Sequence, residues 1–255
     1  MRLGSTDINR IGLGTNRLTD TEEHRAFVAE AVGAGINLID TAHLYTGGES
    51  EATIGAALAP FPEEVVVGTK GGFRDARPET LAAEIDESLR RLTTDTIDLY
   101  YLHRVDSKVP LERSVEAIVE ARERGKLRHI GLSEVGMEEI ERARQLTPIA
   151  AVQNHYSLSE RRYEDVIDYC ERDQIAFVPF YPLGGRSGLR NDTVEEIATA
   201  HGASVAQIAL AWLLKRSPAV VPIPGTLSLD HLRQNIAALE IELSDEEFDA
   251  ARHVQ

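Results

Sequence analysis

The sequence has little cysteine, few positive charges and no long apolar run. Its 255 residues include one cysteine, Cys170, which has no intrachain partner, so a reducing compartment, the cytoplasm, is expected. Lys and Arg number 27 against 42 Asp and Glu, and the net charge of −15 argues against nucleic acid or anionic membrane as partner. The most apolar stretch, Ile208 to Leu214, is too short to span a bilayer. The first ten residues contain no apolar run of the kind found in a signal peptide, so no secretory signal is expected.

The motifs of several enzyme classes are also missing. The sequence has no serine-nucleophile elbow, no reactive-cysteine motif, no HExxH and no clustered metal ligands, so no metal is expected. Gly12-Leu-Gly14 begins like the Rossmann dinucleotide fingerprint, but Arg17 occupies the third glycine position. Nothing matches a P-loop. A nucleotide bound to this chain would be held by another geometry.

Short β-branched runs alternate with segments of helical periodicity along the whole chain. Eight strands are predicted, at residues 11–14, 36–40, 65–70, 97–102, 128–132, 149–153, 175–180 and 219–222. Amphipathic helices are predicted between them, for example at 22–32, 78–92, 111–124, 138–145 and 163–171. This alternation favours an α/β fold, a (β/α)8 TIM barrel that forms a single domain over residues 1–255. A doubly wound open sheet is the alternative architecture.

Polar side chains follow several predicted strands, where the carboxyl ends of barrel strands share one mouth. Asp40, Lys70 and His103 occupy such positions, and Tyr45 lies just beyond Asp40. Each alone has an ordinary explanation, as a turn residue, a solvated lysine or a packed histidine. Together they suit proton donation to a carbonyl, because a lysine lowers the pKa of a nearby phenol and an imidazole holds the carbonyl oxygen. A cofactor would supply the reducing equivalent.

Several blocks resemble the aldo-keto reductase superfamily, in the family's order and over nearly the whole chain. They are residues 2–7, 40–45, 48–51, 54–55, 67–70, 98–103, 130–133 and 152–157. The resemblance implies a TIM barrel whose bottom is closed by an N-terminal β-hairpin. It also implies an NAD(P)H-dependent oxidoreductase that reduces a small-molecule aldehyde or ketone to an alcohol.

The same resemblance implies a catalytic tetrad and a set of cofactor contacts. Tyr45 would be the general acid and Lys70 would lower its pKa. Asp40 would pair with Lys70, and His103 would orient the carbonyl. A nicotinamide dinucleotide would lie extended across the barrel mouth, held by Gly14, Thr15, Asn16, Asp40, Ser133, Glu134, Gln153, Phe180, Tyr181, Pro182, Leu183, Gly184, Gly225, Thr226, His231, Gln234 and Asn235. Within this set, Phe180 would stack on the nicotinamide, and Ser133 and Gln153 would hold its carboxamide.

Three residues, at two places in the sequence, depart from the family pattern. Glu134 stands where many members carry asparagine, so it either binds the carboxamide NH2 or turns aside as an acid at a helix N-terminus. Gly225 and His231 occupy positions that often supply a lysine and an arginine to the adenosine 2′-phosphate. The resemblance to the family favours NADP(H). Because the lysine and the arginine are absent at these two positions, NAD(H) remains open.

The chain is short after Asn235 and in the loop at residues 104–109. We expect a shallow, open substrate pocket with broad aldehyde activity, and His43 and Tyr156 are candidate pocket walls. Two other functions remain open on this sequence. One is a lyase that forms a Schiff base on Lys70. The other is a cofactor-binding regulatory module with little turnover, similar to the potassium-channel β subunits.

Overall fold

A parallel sheet organises the residues that the computed structural model describes, which are 1–3, 6–185 and 192–252. The strands are β1 (Arg2–Leu3), β2 (Thr6–Asp7), β3 (Leu13–Gly14), β4 (Leu38–Asp40), β5 (Val66–Gly71), β6 (Ile97–Leu102), β7 (Leu127–Ser133), β8 (Ala151–Gln153) and β9 (Ala176–Phe177). Strands β3 to β9 form one seven-stranded parallel sheet, in chain order, and β1 pairs antiparallel with β2. This order has no reversal point, so the doubly wound alternative is wrong.

Helices connect the strands and cover the outside of the sheet. They are α1 (Glu22–Gly33), α2 (Glu49–Leu58), α3 (Pro78–Leu92), α4 (Leu111–Glu123), α5 (Met137–Arg144), α6 (Glu164–Arg172), α7 (Asp192–His201), α8 (Val205–Arg216), α9 (Leu229–Ala237) and α10 (Asp245–Arg252). Within the described ranges, 3₁₀ turns occupy Tyr45–Gly48 and Ala238–Glu240. The five predicted helices agree with the observed bounds to within one residue. Their starts carry the expected signals, such as the Thr21 hydroxyl that accepts the His24 N–H at 3.2 Å.

The predicted eighth strand, at 219–222, is present only as isolated bridges. The Phe177 N–H donates to the carbonyl of Ala219 at 2.9 Å, and on the other side Gly12 donates to Pro222 at 3.0 Å. Further bridges join Phe177 to Val220 and Gly14 to Gly225. A regular strand is prevented because Pro222 and Pro224 have no N–H to donate. The segment nevertheless bonds to both edges of the curled sheet, an arrangement consistent with a (β/α)8 barrel.

The N-terminal hairpin is confirmed, and its side chains pack on the inside of the sheet. Leu3 and Ile8 are buried in a cluster with inward-facing residues of the strands, namely Leu38, Val66, Leu99, Tyr101, Ala151, Ala176, Val178, Val221 and Ile223. Leu38 and Val66 begin β4 and β5, so the hairpin covers the amino ends of the strands. Residues 4 and 5 of the predicted hairpin lie outside the described ranges. A larger apolar cluster packs the helices against the sheet.

Helices α7 and α8 are the only described ones that together have the length and composition of a membrane span, and they are bent by 93°. No single helix in the described ranges is long and apolar enough to cross a membrane. In α8, the residues Ile208–Leu213 are buried in the protein core.

The buried carboxylate of Glu51, on α2, bonds to both β5 and α3. It accepts the Thr69 hydroxyl at 2.6 Å and pairs with Arg91 of α3 at 3.4 Å. Arg91 also donates to the His43 carbonyl at 2.8 Å and to Glu87 at 2.7 Å. Through these bonds, one guanidinium links α2 and α3 to the loop that follows Asp40.

We predict that Arg91→Met lowers the free energy of unfolding by about 3 kcal/mol or more, because Glu51 is left buried without its cation. Arg90→Met is the matched control, since Arg90 is the neighbouring residue and its side chain is 72% exposed. Its loss should stay within about 0.5 kcal/mol. Urea unfolding of the two variants and the wild type measures both values. Equal losses in the two variants would contradict a structural role for Arg91.

Candidate active site

Asp40 and Lys70 form a buried ion pair at the carboxyl ends of the adjacent strands β4 and β5. The Lys70 Nζ donates to the Asp40 Oδ1 at 2.6 Å and to the Thr41 carbonyl at 2.6 Å. The Gln153 amide, at the end of β8, donates to the second oxygen of Asp40 at 2.7 Å. Both charges are therefore withdrawn from water and satisfied by fixed partners.

The ion pair keeps its lysine protonated. Burial by itself would lower the pKa of Lys70, but the Asp40 carboxylate and the Tyr45 phenol outweigh it and raise the pKa above its ordinary value. Burial raises the pKa of the Asp40 carboxyl, and the charge of Lys70 opposes that effect. The pair thus holds a protonated lysine at the carboxyl ends of β4 and β5.

Tyr45 opens the 3₁₀ turn that follows β4, and its ring lies against the lysine. The Lys70 Nζ is 5.0 Å from the centroid of the Tyr45 ring. Burial nevertheless raises the pKa of Tyr45 above 10, because desolvation of the phenolate outweighs the attraction of Lys70. The expectation of a lowered pKa is therefore wrong for the protein alone. Tyr45 holds its proton at neutral pH.

His103 follows β6 directly, and its ring is 6.1 Å from the Tyr45 ring at 83°. Its backbone N–H donates to the Gly71 carbonyl at 2.7 Å, which continues the pairing between β5 and β6. Burial, assisted by the charges of Lys70 and Arg104, lowers the pKa of His103 to about 2. The imidazole is neutral, with one N–H to donate, and its buried Nδ1 bonds to no other described residue.

The residues expected around the cofactor line the same end of the sheet. Thr15 is buried, and its hydroxyl donates to the Asp40 carbonyl at 2.8 Å, whereas Asn16 is exposed. A Cβ on Gly14 would come within 2.7 Å of the Ile223 carbonyl, so only glycine allows this close approach of the chain. Gly14 and Gly225 are bridged, and the two predicted cofactor segments therefore meet.

Ser133 and Gln153 lie in register at the ends of β7 and β8. The Ser133 side chain is buried, and its hydroxyl makes no hydrogen bond within the described part of the chain. The Gln153 NH2 donates to Asp40, and the Gln153 side chain also interacts with the Tyr101 hydroxyl. These groups fit the amide of a nicotinamide, which both donates and accepts hydrogen bonds.

The predicted stacking residue, Phe180, has one face covered. Its ring stacks on His155, with centroids 5.3 Å apart and planes 15° apart, and the edge of Tyr181 lies at 5.3 Å. Tyr181 is exposed and adopts a positive φ of 49°. The loop continues through buried Pro182 to partly buried Leu183 and Gly184, and residues 186–191 are outside the described ranges.

Two protein contacts fix the side chain of Glu134. Its carboxylate accepts the His155 N–H at 2.6 Å and lies 3.4 Å from the Arg104 Nη1. Helix α5 begins later, at Met137, and Glu139 accepts the N–H of its cap residue. The interpretation of Glu134 as an acid at a helix N-terminus is wrong, because the backbone at Glu134 has a φ of 55° and the helix has not begun.

Arg17 contacts the segment before α9, a contact that sequence reasoning missed. Arg17 donates to the Gly225 carbonyl at 3.1 Å, across 208 residues of chain, so no local spacing indicates it. The other predicted contacts lie around the start of α9, where Thr226 and Asn235 are buried and His231 and Gln234 are exposed. The Ser228 hydroxyl caps this helix by accepting the His231 N–H at 3.4 Å.

One of the two candidate pocket walls, Tyr156, lies in the core. Tyr156 is fully buried, its ring lies 6.1 Å from Trp212, and its hydroxyl donates to Glu164 at 2.9 Å, so this prediction is wrong. The His43 ring bonds to Glu87 of α3 at 2.9 Å. The apolar side chains exposed in the loops after the strands are instead Leu44, Phe73, Val105 and Tyr181.

No group of three His, Cys, Asp or Glu side chains with metal-ligand geometry occurs in the ranges that the structure describes. The one cysteine, Cys170, is buried in the core, and burial raises the pKa of its thiol to about 12. Cys170 lies on α6, away from the site built by Asp40, Tyr45, Lys70 and His103.

Comparisons with known proteins agree with this geometry. The model of the aldo/keto reductase family matches residues 10–255. The chain is 37% identical over 268 residues to pyridoxine 4-dehydrogenase of Escherichia coli, with 96% of this chain and 94% of that protein covered.

Two solved structures have the same fold. A thermostable aldo-keto reductase solved with the inhibitor epalrestat has a TM-score of 0.91, 33% identity and coverage of 99% of this chain and 98% of that one. An aldo/keto reductase of Klebsiella pneumoniae, solved with NADP and acetate, has a TM-score of 0.85, 32% identity and coverage of 96% and 90%. The chain therefore belongs to the aldo/keto reductase family of oxidoreductases.

Proposed function

We propose that this protein reduces small aldehydes or ketones to alcohols in the cytoplasm, on a closed (β/α)8 barrel, with Tyr45 as the proton donor. One observation carries the proposal. A protonated phenol lies against a charged lysine and beside a neutral imidazole, at the mouth of the curled sheet. A carbonyl that gains a hydride at carbon needs a proton at oxygen, and these groups suit that transfer.

The side chains divide the work of proton transfer. The Tyr45 O–H donates its proton to the carbonyl oxygen, and the phenolate that remains is stabilised by the charge of Lys70. Asp40 keeps Lys70 protonated and fixed. His103, which is neutral, donates its N–H to the same carbonyl oxygen and so orients the substrate.

A nicotinamide dinucleotide supplies the hydride when it is bound. Ser133 and Gln153 would hold its carboxamide, and the Phe180 ring would lie against the nicotinamide. The backbone of Gly14 approaches the segment before α9 so closely that no side chain fits between them. The N-terminus of α9 offers backbone N–H groups to a phosphate.

The lyase alternative is not favoured by this geometry. A Schiff base forms on a neutral amine, whereas Lys70 is held protonated by Asp40 and bonded to the Thr41 carbonyl. A lyase would also give Tyr45 and His103 no role.

We propose NADPH as the preferred cofactor, with Arg17 as the cation for its 2′-phosphate. Gly225 stands where relatives often carry a lysine. The Arg17 guanidinium donates to the carbonyl of Gly225, so it brings a positive charge to that position. The similar protein of Klebsiella pneumoniae was solved with NADP. A guanidinium binds phosphate through paired hydrogen bonds, which a lysine cannot offer.

We expect Tyr45→Phe to lower kcat for aldehyde reduction by about 10²-fold to 10⁴-fold, because the proton donor is lost. The Kd for NADPH, measured by fluorescence titration, should not change. Tyr169→Phe is the control, since Tyr169 lies on α6 and bonds to Arg144 at 2.6 Å, away from the site. Full turnover in Tyr45→Phe would contradict the assignment. Tight NADPH binding by a wild type that reduces no aldehyde would indicate a regulatory module instead.

We predict that the wild type binds NADPH more tightly than NADH, and that Arg17→Gln weakens NADPH binding about tenfold while NADH binding is unchanged. Isothermal titration of both cofactors measures this. Arg25→Gln is the control, because Arg25 is an exposed arginine on α1 that pairs with Asp20 at 2.6 Å. An equal loss for both cofactors in Arg17→Gln, or tighter NADH binding by the wild type, would overturn the prediction.

A further inference from the structure

Arg104 follows His103 directly and brings a guanidinium to the edge of the site. Its Cζ lies 5.8 Å from the centroid of the Phe73 ring and 5.9 Å from that of Phe180. The Phe73 ring also lies 4.9 Å from the ring of His103. One aromatic side chain therefore contacts both the imidazole and the guanidinium.

The hydrogen-bond donors of Arg104 are largely unused. Its one polar contact within the described chain is the Glu134 carboxylate, with 3.4 Å between Nη1 and Oε2. That distance exceeds the 2.7–3.2 Å range typical of N–H···O bonds, and the other Glu134 oxygen is taken by the His155 N–H at 2.6 Å. Most of the five guanidinium N–H groups thus have no partner among the residues that the structure describes.

The guanidinium is also partly desolvated. The Arg104 side chain is 36% exposed, and burial lowers its pKa from the ordinary value of 12.5. It remains charged at neutral pH, because an arginine titrates far above that range. A half-buried cation with few partners is stabilised by any anion that reaches it.

The loops around this mouth also expose apolar side chains. Phe73 and Tyr181 are 44% and 52% exposed, and Leu44 and Val105 are exposed as well. These side chains belong to the loops after β4, β5, β6 and β9, the same loops that carry Tyr45, His103 and Phe180. A substrate body that contacts them is an aromatic ring or an alkyl chain.

We propose that Arg104 binds an anionic group, a carboxylate or a phosphate, on the carbonyl substrate and so determines specificity for anionic aldehydes or ketones. This inference rests on the proposed reduction. The carbonyl lies at Tyr45 and His103, the apolar body contacts Phe73, and the anion accepts paired hydrogen bonds from the guanidinium.

The test compares substrates that share a ring and an aldehyde and differ in charge. These are 4-carboxybenzaldehyde, its uncharged methyl ester and 4-formylphenyl phosphate. We expect the wild type to show a kcat/KM at least about tenfold higher for an anionic substrate than for the ester. The difference should lie in KM, because the anion is bound equally in the ground state and the transition state. The larger preference, carboxylate or phosphate, identifies the anion.

Three variants separate recognition from structure. Arg104→Gln should remove the preference for the anions and leave the ester unchanged. Glu134→Gln keeps the guanidinium and removes the competing carboxylate, so the preference should be kept or increased. Arg74→Gln is the matched control, since Arg74 is an exposed arginine next to Phe73, and it should change nothing.

The failures are distinguishable. Equal kcat/KM for the three substrates in the wild type would overturn the role of Arg104 and leave the reductase intact. An equal loss for anionic and uncharged substrates in Arg104→Gln would assign Arg104 a structural role only. If the wild type reduces none of the three, the proposed function itself fails.

Discussion

The buried ion pair between Lys70 and Asp40 is the constraint on which the rest of the site depends. A lysine held wholly inside a protein is costly unless its partner is fixed and its other protons are bonded. Here the partners are the Asp40 carboxylate and the Thr41 carbonyl, both at 2.6 Å, and Gln153 fixes the other oxygen of Asp40. Because these residues end β4, β5 and β8, the pair is satisfied only when those strands keep their register. The hydrogen bonds that stabilise the ion pair therefore also require the strand positions that form the site.

Burial then selects the protonation states that the chemistry needs. It raises the pKa of Tyr45, so the phenol keeps the proton that it must donate, and it lowers the pKa of His103 to about 2, so the imidazole stays neutral. The charge of Lys70 is retained because Asp40 outweighs burial. The charge of Lys70 does not lower the pKa of Tyr45 enough to ionise the phenol at neutral pH. Its role is to stabilise the phenolate once the proton has moved.

Sequence predicted the features that follow from local pattern. The alternation of strands and helices indicated the parallel sheet, and a polar residue after each apolar run indicated Asp40, Lys70 and His103. Of the strand predicted at 175–180, β9 keeps only Ala176–Phe177. Beyond it, the Val178 and Phe180 N–H groups still donate to neighbouring carbonyls, but Pro179 between them has no N–H to donate. Sequence also missed contacts between distant segments, such as that of Arg17 with Gly225. Tyr156 could not be assigned to the core before its contact with Trp212, 56 positions away, was known.

A double-mutant cycle on the ion pair tests the central claim most directly. Urea unfolding of Lys70→Met, Asp40→Asn and the double variant gives three changes in the free energy of unfolding. Each single variant leaves a charge buried without its counterion, so we predict losses of about 3–5 kcal/mol apiece. The double variant should lose less than their sum by at least about 1 kcal/mol. Additive losses would mean that the two charges do not support each other, and they would contradict a site organised around this ion pair.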